Sequence, residues 1–101
     1  MKEDAYRFLG LLNRGGKVAV GDAVLTKMRK GDALLLADSS SQTQARIKEK
    51  GERTGVLLLL GADSEELGAA LGFPRLTAAL VCDQKAARRL KTKWEEKEKE
   101  A

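Results

Sequence analysis

Apolar positions in the first 37 residues alternate between the spacing of a helix and the continuous runs of a buried strand. Helical spacing over about residues 3–13 predicts a first helix, which the glycine pair after Arg14 ends. The segment 17–20, which is apolar after Lys17, predicts a short strand, and the apolar run over 33–37 predicts a strand covered on both faces. Between these strands we expect a turn at Gly21-Asp22, an N-cap at Asp22, and a helix over about 22–30 that buries Val24, Leu25 and Met28.

The second half of the chain repeats this alternation. A turn and N-cap cluster at 38–41 precedes a polar helix over about 42–53, and an apolar strand follows over 56–60. Another apolar run, over 76–82, predicts a buried strand in which Cys82 is a small buried thiol.

Capping residues mark the last two helices. Asp63 with Glu66 three residues later is a capping signal, and Gly72 is the stop signal of the short helix that follows. Asp83 is expected to cap the final helix. The inward side of that helix carries the apolar residues Ala86, Ala87, Leu90 and Trp94.

Uninterrupted apolar strands that alternate with helices predict an α/β fold, a three-layer α/β/α sandwich with a central mixed sheet of four strands. A chain of 101 residues has room for one hydrophobic core, so we expect a single domain over 1–92. Lysine and glutamate dominate 93–101, which predicts a charged, frayed tail.

Composition removes several classes of function. With one cysteine and no histidine, the chain offers no intramolecular disulfide, no Cys/His zinc site and no imidazole general base. The longest apolar run is much shorter than the ~20 residues that span a bilayer, and the N-terminus carries charges of both signs. We therefore expect a cytoplasmic protein that is not an enzyme, is a monomer, and uses no membrane, metal or cofactor.

Positive charge is concentrated in residues 14–30. This segment holds five basic side chains and one acidic one, a net +4 that equals the formal charge of the whole chain. Lysine and arginine can replace the counterions of a phosphate backbone, so the segment is a candidate nucleic-acid contact. The alternative is a solvated helix face that complements the negative helix C-terminus.

Several segments keep a recognisable order from residue 5 to residue 90. They are Arg14-Gly15-Gly16-Lys17-Val18, the stretch from Gly21 to Gly31, Asp38-Ser39-Ser40-Ser41-Gln42-Thr43, the stretch from Leu67 to Gly72 with Arg75, and Asp83-Gln84-Lys85-Ala86-Ala87. Together they resemble the ribosomal protein L7Ae/L30e family, and more narrowly its short bacterial members, called YlxQ-like, which are encoded near translation-initiation factors.

The resemblance implies an L30e-like domain that binds kink-turn or related kinked RNA, such as ribosomal RNA. In that family a Gly-x-Asn-Glu-x-x-Lys segment at the start of the second helix makes the main contact, and here it falls on Gly21, Ala23, Val24 and Lys27. Glycine and lysine match, whereas alanine and valine replace the two residues that bond the tandem G·A pairs. The implied RNA binding therefore has weakened base-specific contacts.

The resemblance implies a second contact in the loop at 72–76, through Phe73, Pro74 and Arg75, beside the first contact. Phosphate contacts are expected to complete the interface around the Gly21 turn. The cations among them are Arg14, Lys17, Arg29 and Lys30, and Asp22 belongs to the turn before a helix start whose backbone N–H groups can bind phosphate oxygens.

Two alternatives remain at this stage. A ribosome-associated protein-interaction module would use the same fold through another face, such as the helix at 42–53 or the charged tail. A small enzyme would use the polar loop residues near the strand ends, where open α/β sheets often bind ligands. Those residues are Asp38, Ser39, Ser40, Ser41 and Asp83.

Overall fold

Four strands form one mixed sheet, and helices cover both of its faces. The computed structural model describes residues 3–37 and 41–95. In chain order the elements are α1 (Glu3–Arg14), β1 (Val18–Ala19), α2 (Asp22–Lys27), β2 (Ala33–Ala37), α3 (Gln42–Thr54), β3 (Leu57–Ala62), α4 (Ser64–Leu71), β4 (Ala78–Val81) and α5 (Gln84–Glu95).

The strand order in the sheet is β1-β4-β2-β3. β4 is antiparallel to both of its neighbours, with Val81 opposite Val18 in β1 and Leu80 opposite Leu34 in β2. β2 and β3 are parallel, so their connection needs the crossover helix α3. The predicted mixed sheet of four strands is confirmed.

Side chains of the central strands alternate between two hydrophobic clusters, one on each face. Leu35 packs in the cluster that includes α1, α4 and α5, whereas its neighbour Leu34 packs in the cluster that includes α2 and α3. Both faces are buried, which explains why β2 is a continuous apolar run rather than an alternating one. The predicted three-layer α/β/α sandwich is confirmed.

Three of the predicted helix caps are present. Asp63 Oδ1 accepts hydrogen bonds from the backbone N–H groups of Glu65 and Glu66, at 2.9 and 3.0 Å. Asp83 Oδ1 accepts from the Ala86 N–H at 3.0 Å, and Ser41 Oγ accepts from the Gln44 N–H at 3.1 Å.

The predicted cap at Asp22 is wrong. Gly21 occupies the N-cap position with φ 67° and ψ −142°, and no side chain caps α2. This backbone conformation is one that glycine adopts readily. Gly21 is thus the last residue before α2, and Asp22 already lies in the first turn of the helix.

The second helix is shorter than predicted and ends at Lys27. Met28 is extended, at ψ 129°, and its side chain returns to the core. The Asp32 side chain then closes a turn, because its Oδ2 accepts from the Arg29 N–H while the Asp32 N–H donates to the Arg29 carbonyl. The predicted helix over about 22–30 is therefore wrong beyond Lys27, and Lys30 lies outside it.

The final helix continues to Glu95, beyond the expected domain boundary at residue 92. Trp94 is 5% exposed, its Nε1–H donates to the Leu60 carbonyl at 3.0 Å, and its ring meets Tyr6 edge-on at 5.5 Å. The expected packing role of Trp94 is confirmed. The remainder of the predicted tail, 96–101, lies outside the described residues.

Gly68 controls how closely the loop after α4 can approach that helix. A Cβ at this position would lie 2.7 Å from both the Arg75 nitrogen and the Phe73 oxygen, which are backbone atoms. We expect Gly68→Ala to lower the free energy of unfolding by about 2 kcal/mol, as overpacking does, although alanine is the better helix former.

Urea unfolding measures this effect, and Gly15→Ala is the matched control. The nearest atom to a Cβ at Gly15 is the Leu12 oxygen at 3.6 Å, so that variant should keep its stability. Equal stability of the two variants would contradict the close approach at Gly68.

Candidate nucleic-acid interface

The strand directions divide the connecting segments between two ends of the sheet. β1 and β2 run one way and β4 runs the other way, so the turn after β1 and the loop before β4 lie at the same end. We call this the turn end (20–23 and 72–77). The segments that precede β1 and β2 lie at the opposite end of the sheet, together with the residues that follow β4. The five residues of β2 separate the two ends by about 13 Å, at a rise of ~3.3 Å per residue.

We call the second end the basic end and define it by five exposed cationic residues. They are Arg14, Lys17, Lys27, Arg29 and Lys30.

At the turn end, the sheet register brings together the two segments that the resemblance pairs. The loop at 72–76 folds back on α4, where the Phe73 N–H donates to the Gly68 carbonyl and the Leu76 N–H donates to the Ser64 carbonyl. These hydrogen bonds hold the loop against α4, while the register places it at the same end of the sheet as the Gly21 turn.

Gln44, which the sequence pattern did not single out, ties this end of the sheet to α3. Its side chain is buried, and its Nε2 donates to the carbonyls of Ala37 and Thr77, both at 2.8 Å. Gln44 thereby holds the end of β2 against the residue that precedes β4. Its position one helical turn before the inward-facing Ile47 was the available signal.

The two residues at the positions of the family's base-reading Asn and Glu are withdrawn from solvent in whole or in part. Val24 is 1% exposed and packs in the core between α2 and the sheet, so its assignment to the RNA contact is wrong. Ala23 is half-buried. Val24 is buried because it is the inward position of a six-residue helix.

The turn end and the adjoining first turn of α4 (63–66) together carry four acidic residues and one cation. The turn, the loop and the first turn of α4 carry Arg75 as their cation, and Arg75 forms an ion pair with Glu65 at 3.6 Å. Asp22, Asp63 and Glu66 lie in the same three segments. Phosphate is therefore not attracted here by an excess of cations.

The five cations lie at the other end because α2 carries the chain back across the sheet. Lys17 directly precedes β1, and its carbonyl accepts from the Cys82 N–H after β4. Lys30 precedes β2, and its carbonyl accepts from Gln84 Nε2 at 2.7 Å. The expectation that these cations surround the Gly21 turn is wrong, since the register separates the start of β1 from its end.

Two carboxylates lie among these cations, in different environments. Asp83 Oδ2 accepts from Lys17 Nζ at 2.9 Å, and the Ala86 N–H and Lys17 hold the pKa of Asp83 below its usual range. Burial raises the pKa of Asp32, although its hydrogen bond from the Arg29 N–H and the Arg29 charge oppose that rise. Asp83 thus offsets one of the five cations through a direct ion pair.

Cys82 is exposed, which contradicts the prediction of a buried thiol. β4 ends at Val81, so Cys82 follows the strand rather than lying within it. Loss of water around the thiol raises the pKa of Cys82, the Asp32 carboxylate raises it further, and Lys27 and Arg29 lower it in part.

The two described residues of the enzyme alternative lie apart. Ser41 lies at the start of α3 and caps it, whereas Asp83 precedes α5 at the basic end. Asp38, Ser39 and Ser40 lie outside the described residues. Within 3–37 and 41–95 no group of three histidine, cysteine or acidic residues is placed to hold a metal ion.

None of the described helices is both long and apolar enough to cross a bilayer. Comparison with known proteins finds no matching family model and no matching curated protein. A solved structure of a protein with unknown function from Bacillus halodurans is similar to this chain, with a TM-score of 0.77. The similarity covers 91% of this chain and 97% of the other at 20% sequence identity, which shows a shared fold.

The raised pKa of Cys82 leads to a test of thiol reactivity. At a pH of about 8, less of the thiol is ionised in the folded chain than in the unfolded chain, and the thiolate is the reactive form. We expect iodoacetamide to alkylate Cys82 more slowly in the folded protein than in urea, with mass spectrometry as the readout. Faster alkylation of the folded protein would instead mark an activated nucleophile.

Proposed function

We propose that this protein binds structured RNA mainly through the phosphate backbone, at its basic end, with little discrimination between base sequences. The observation that supports this most directly is the collection of five exposed cations at one end of the sheet. Each cation that contacts a phosphate releases condensed counterions, which is a favourable and sequence-independent contribution to binding.

Most of these cations are free to meet a phosphate. Among residues 3–37 and 41–95, ion pairs join Lys17 to Asp83, Arg75 to Glu65 and Lys91 to Glu95. The side chains of Arg14, Lys27, Arg29 and Lys30 have no carboxylate partner in that part of the chain. An exposed cation without a partner has less interaction to lose when it binds an anion.

The resemblance to the L7Ae/L30e family supports RNA as the nucleic acid. It also supports a source in ribosomal or kink-turn-like RNA and a role near translation in the cytoplasm. The α/β/α sandwich agrees with the fold which that resemblance implies.

The turn end supports the expectation of weak base readout. Hydrogen-bonding side chains are needed to distinguish the edges of bases. Ala23 has none, and Val24 is buried. A preference for the G·A pairs of a kink-turn would therefore need hydrogen bonds from side chains at positions other than 23 and 24.

Lys27→Ala combined with Lys30→Ala tests the basic end. We expect this variant to lose affinity to a similar degree for a kink-turn RNA, for the same RNA without its G·A pairs, and for a plain duplex. The slope of log affinity against log salt concentration should become shallower by about 1.8, or about 0.9 for each phosphate that the variant no longer neutralises. Gel shifts at about 50 mM and about 200 mM salt measure both quantities.

Arg46→Ala combined with Lys48→Ala is the matched control, because it removes two exposed cations from α3 instead. That control should bind RNA as the unchanged protein does, and so should Arg75→Ala. Undiminished binding in the Lys27/Lys30 variant would exclude the basic end as the interface. If the unchanged protein bound none of these RNAs, the protein-interaction alternative would replace RNA binding.

A further inference from the structure

A groove of about 580 Å³ runs between α1 and α5 and reaches the basic end. α1 contributes Phe8 and Leu12 to its wall, and α5 contributes most of the remainder. The cationic residues that line it are Lys17, Lys85, Arg88 and Arg89.

The charge of this groove is strongly positive. Asp83 is the acidic residue in its lining, and the Asp83 carboxylate already accepts from Lys17 Nζ and from the Ala86 N–H. Lys85, Arg88 and Arg89 are exposed, and no carboxylate of the described residues lies within ion-pair distance of them. Three cations of the groove are therefore available to an anionic ligand.

Helix stability does not explain these cations. Lys85 lies in the first turn of α5, where the helix dipole disfavours positive charge. No acidic residue occurs in α5 before Glu95, so ion pairs within the helix do not offset Lys85, Arg88 and Arg89. The inward residues of α5 that hold the core are apolar, so the core does not require these cations.

The positions of these residues suit an extended polyanion. Lys85, Arg88 and Thr92 recur at intervals of three and four residues, so they form a row about 10 Å long at a rise of ~1.5 Å per residue. Phe8 lies across the groove on α1 and supplies an aromatic surface, and Lys93 Nζ lies over the ring at 5.6 Å from its centroid. Grooves that hold single-stranded nucleic acid combine cations along the backbone with aromatic side chains against the bases.

Lys17 connects this groove to the basic end, since it belongs to both. We propose that a single-stranded segment adjoining the bound structured RNA lies in the α1/α5 groove. Its phosphates contact Lys85, Arg88 and Arg89, and one base packs against Phe8. This inference rests on the proposed function, and it adds a second contact that the resemblance does not assign.

The test compares a blunt RNA hairpin with the same hairpin carrying a single-stranded uridine extension of about six nucleotides, at either the 5′ or the 3′ end. With the unchanged protein, we expect one of the extended RNAs to bind at least about tenfold more tightly than the blunt hairpin. Dissociation constants at two salt concentrations are the readout.

Two variants of the groove separate its contributions. Arg88→Ala combined with Arg89→Ala should abolish the gain from the extension and lower the salt slope for the extended RNA by about 1.4, or about 0.7 for each single-strand phosphate. Phe8→Leu keeps an apolar side chain at a half-buried position and should lose about fivefold of the gain without a change in salt slope. Arg46→Ala combined with Lys48→Ala is again the control of equal charge and should keep the full gain.

The outcomes distinguish the two proposals. Equal affinity for blunt and extended hairpins overturns the groove while the proposed function stands, and so does a gain that survives in the Arg88/Arg89 variant. Failure to bind any hairpin overturns the proposed function. If polyglutamate then bound and the Arg88/Arg89 variant lost that binding, the groove would belong to an acidic protein segment and the RNA proposal would be wrong.

Discussion

The last strand of the chain, β4, lies inside the sheet and is hydrogen-bonded to β1 on one side and to β2 on the other. All four of its residues are buried, so this strand is held by apolar contact on both faces as well as by its two ladders. Both neighbours run opposite to β4. That direction places the loop before β4 beside the turn after β1, and places Asp83 beside Lys17.

This arrangement separates positive charge from the positions where base recognition was expected. The basic segment is continuous in sequence, but the fold takes it from one end of the sheet to the other and back. Attraction to phosphate acts over a Debye length of about 8–10 Å, whereas base reading needs hydrogen bonds of about 3 Å. With the two ends about 13 Å apart, cations at one end do not strengthen hydrogen bonds to bases at the other. The groove between α1 and α5 instead extends the positive surface away from the turn end.

Local signals were reliable where one residue satisfies a nearby backbone group. The Asp63 side chain bonds to N–H groups two and three residues later, and Gly72 adopts the positive φ that ends the helix. Such features depend on a few consecutive residues. The cap expected at Asp22 failed because the positive φ of Gly21 moved the helix boundary by one residue. The longer helix expected through Lys30 ends at Lys27, because Met28 is extended with its side chain in the core and the Asp32 side chain closes the turn that follows.

The sequence by itself determined the order of the helices and strands, the burial of both sheet faces and the three-layer class, because periodicity and capping are properties of neighbouring residues. It also determined the total charge and the absence of base-reading side chains at positions 23 and 24. Only the tertiary structure decided that the five cations lie away from the Gly21 turn and that Cys82 is exposed to solvent. It also decided that Gln44 donates hydrogen bonds both to the last residue of β2 and to the residue before β4. These features depend on strand register and direction, which are set by hydrogen bonds between residues far apart in the chain.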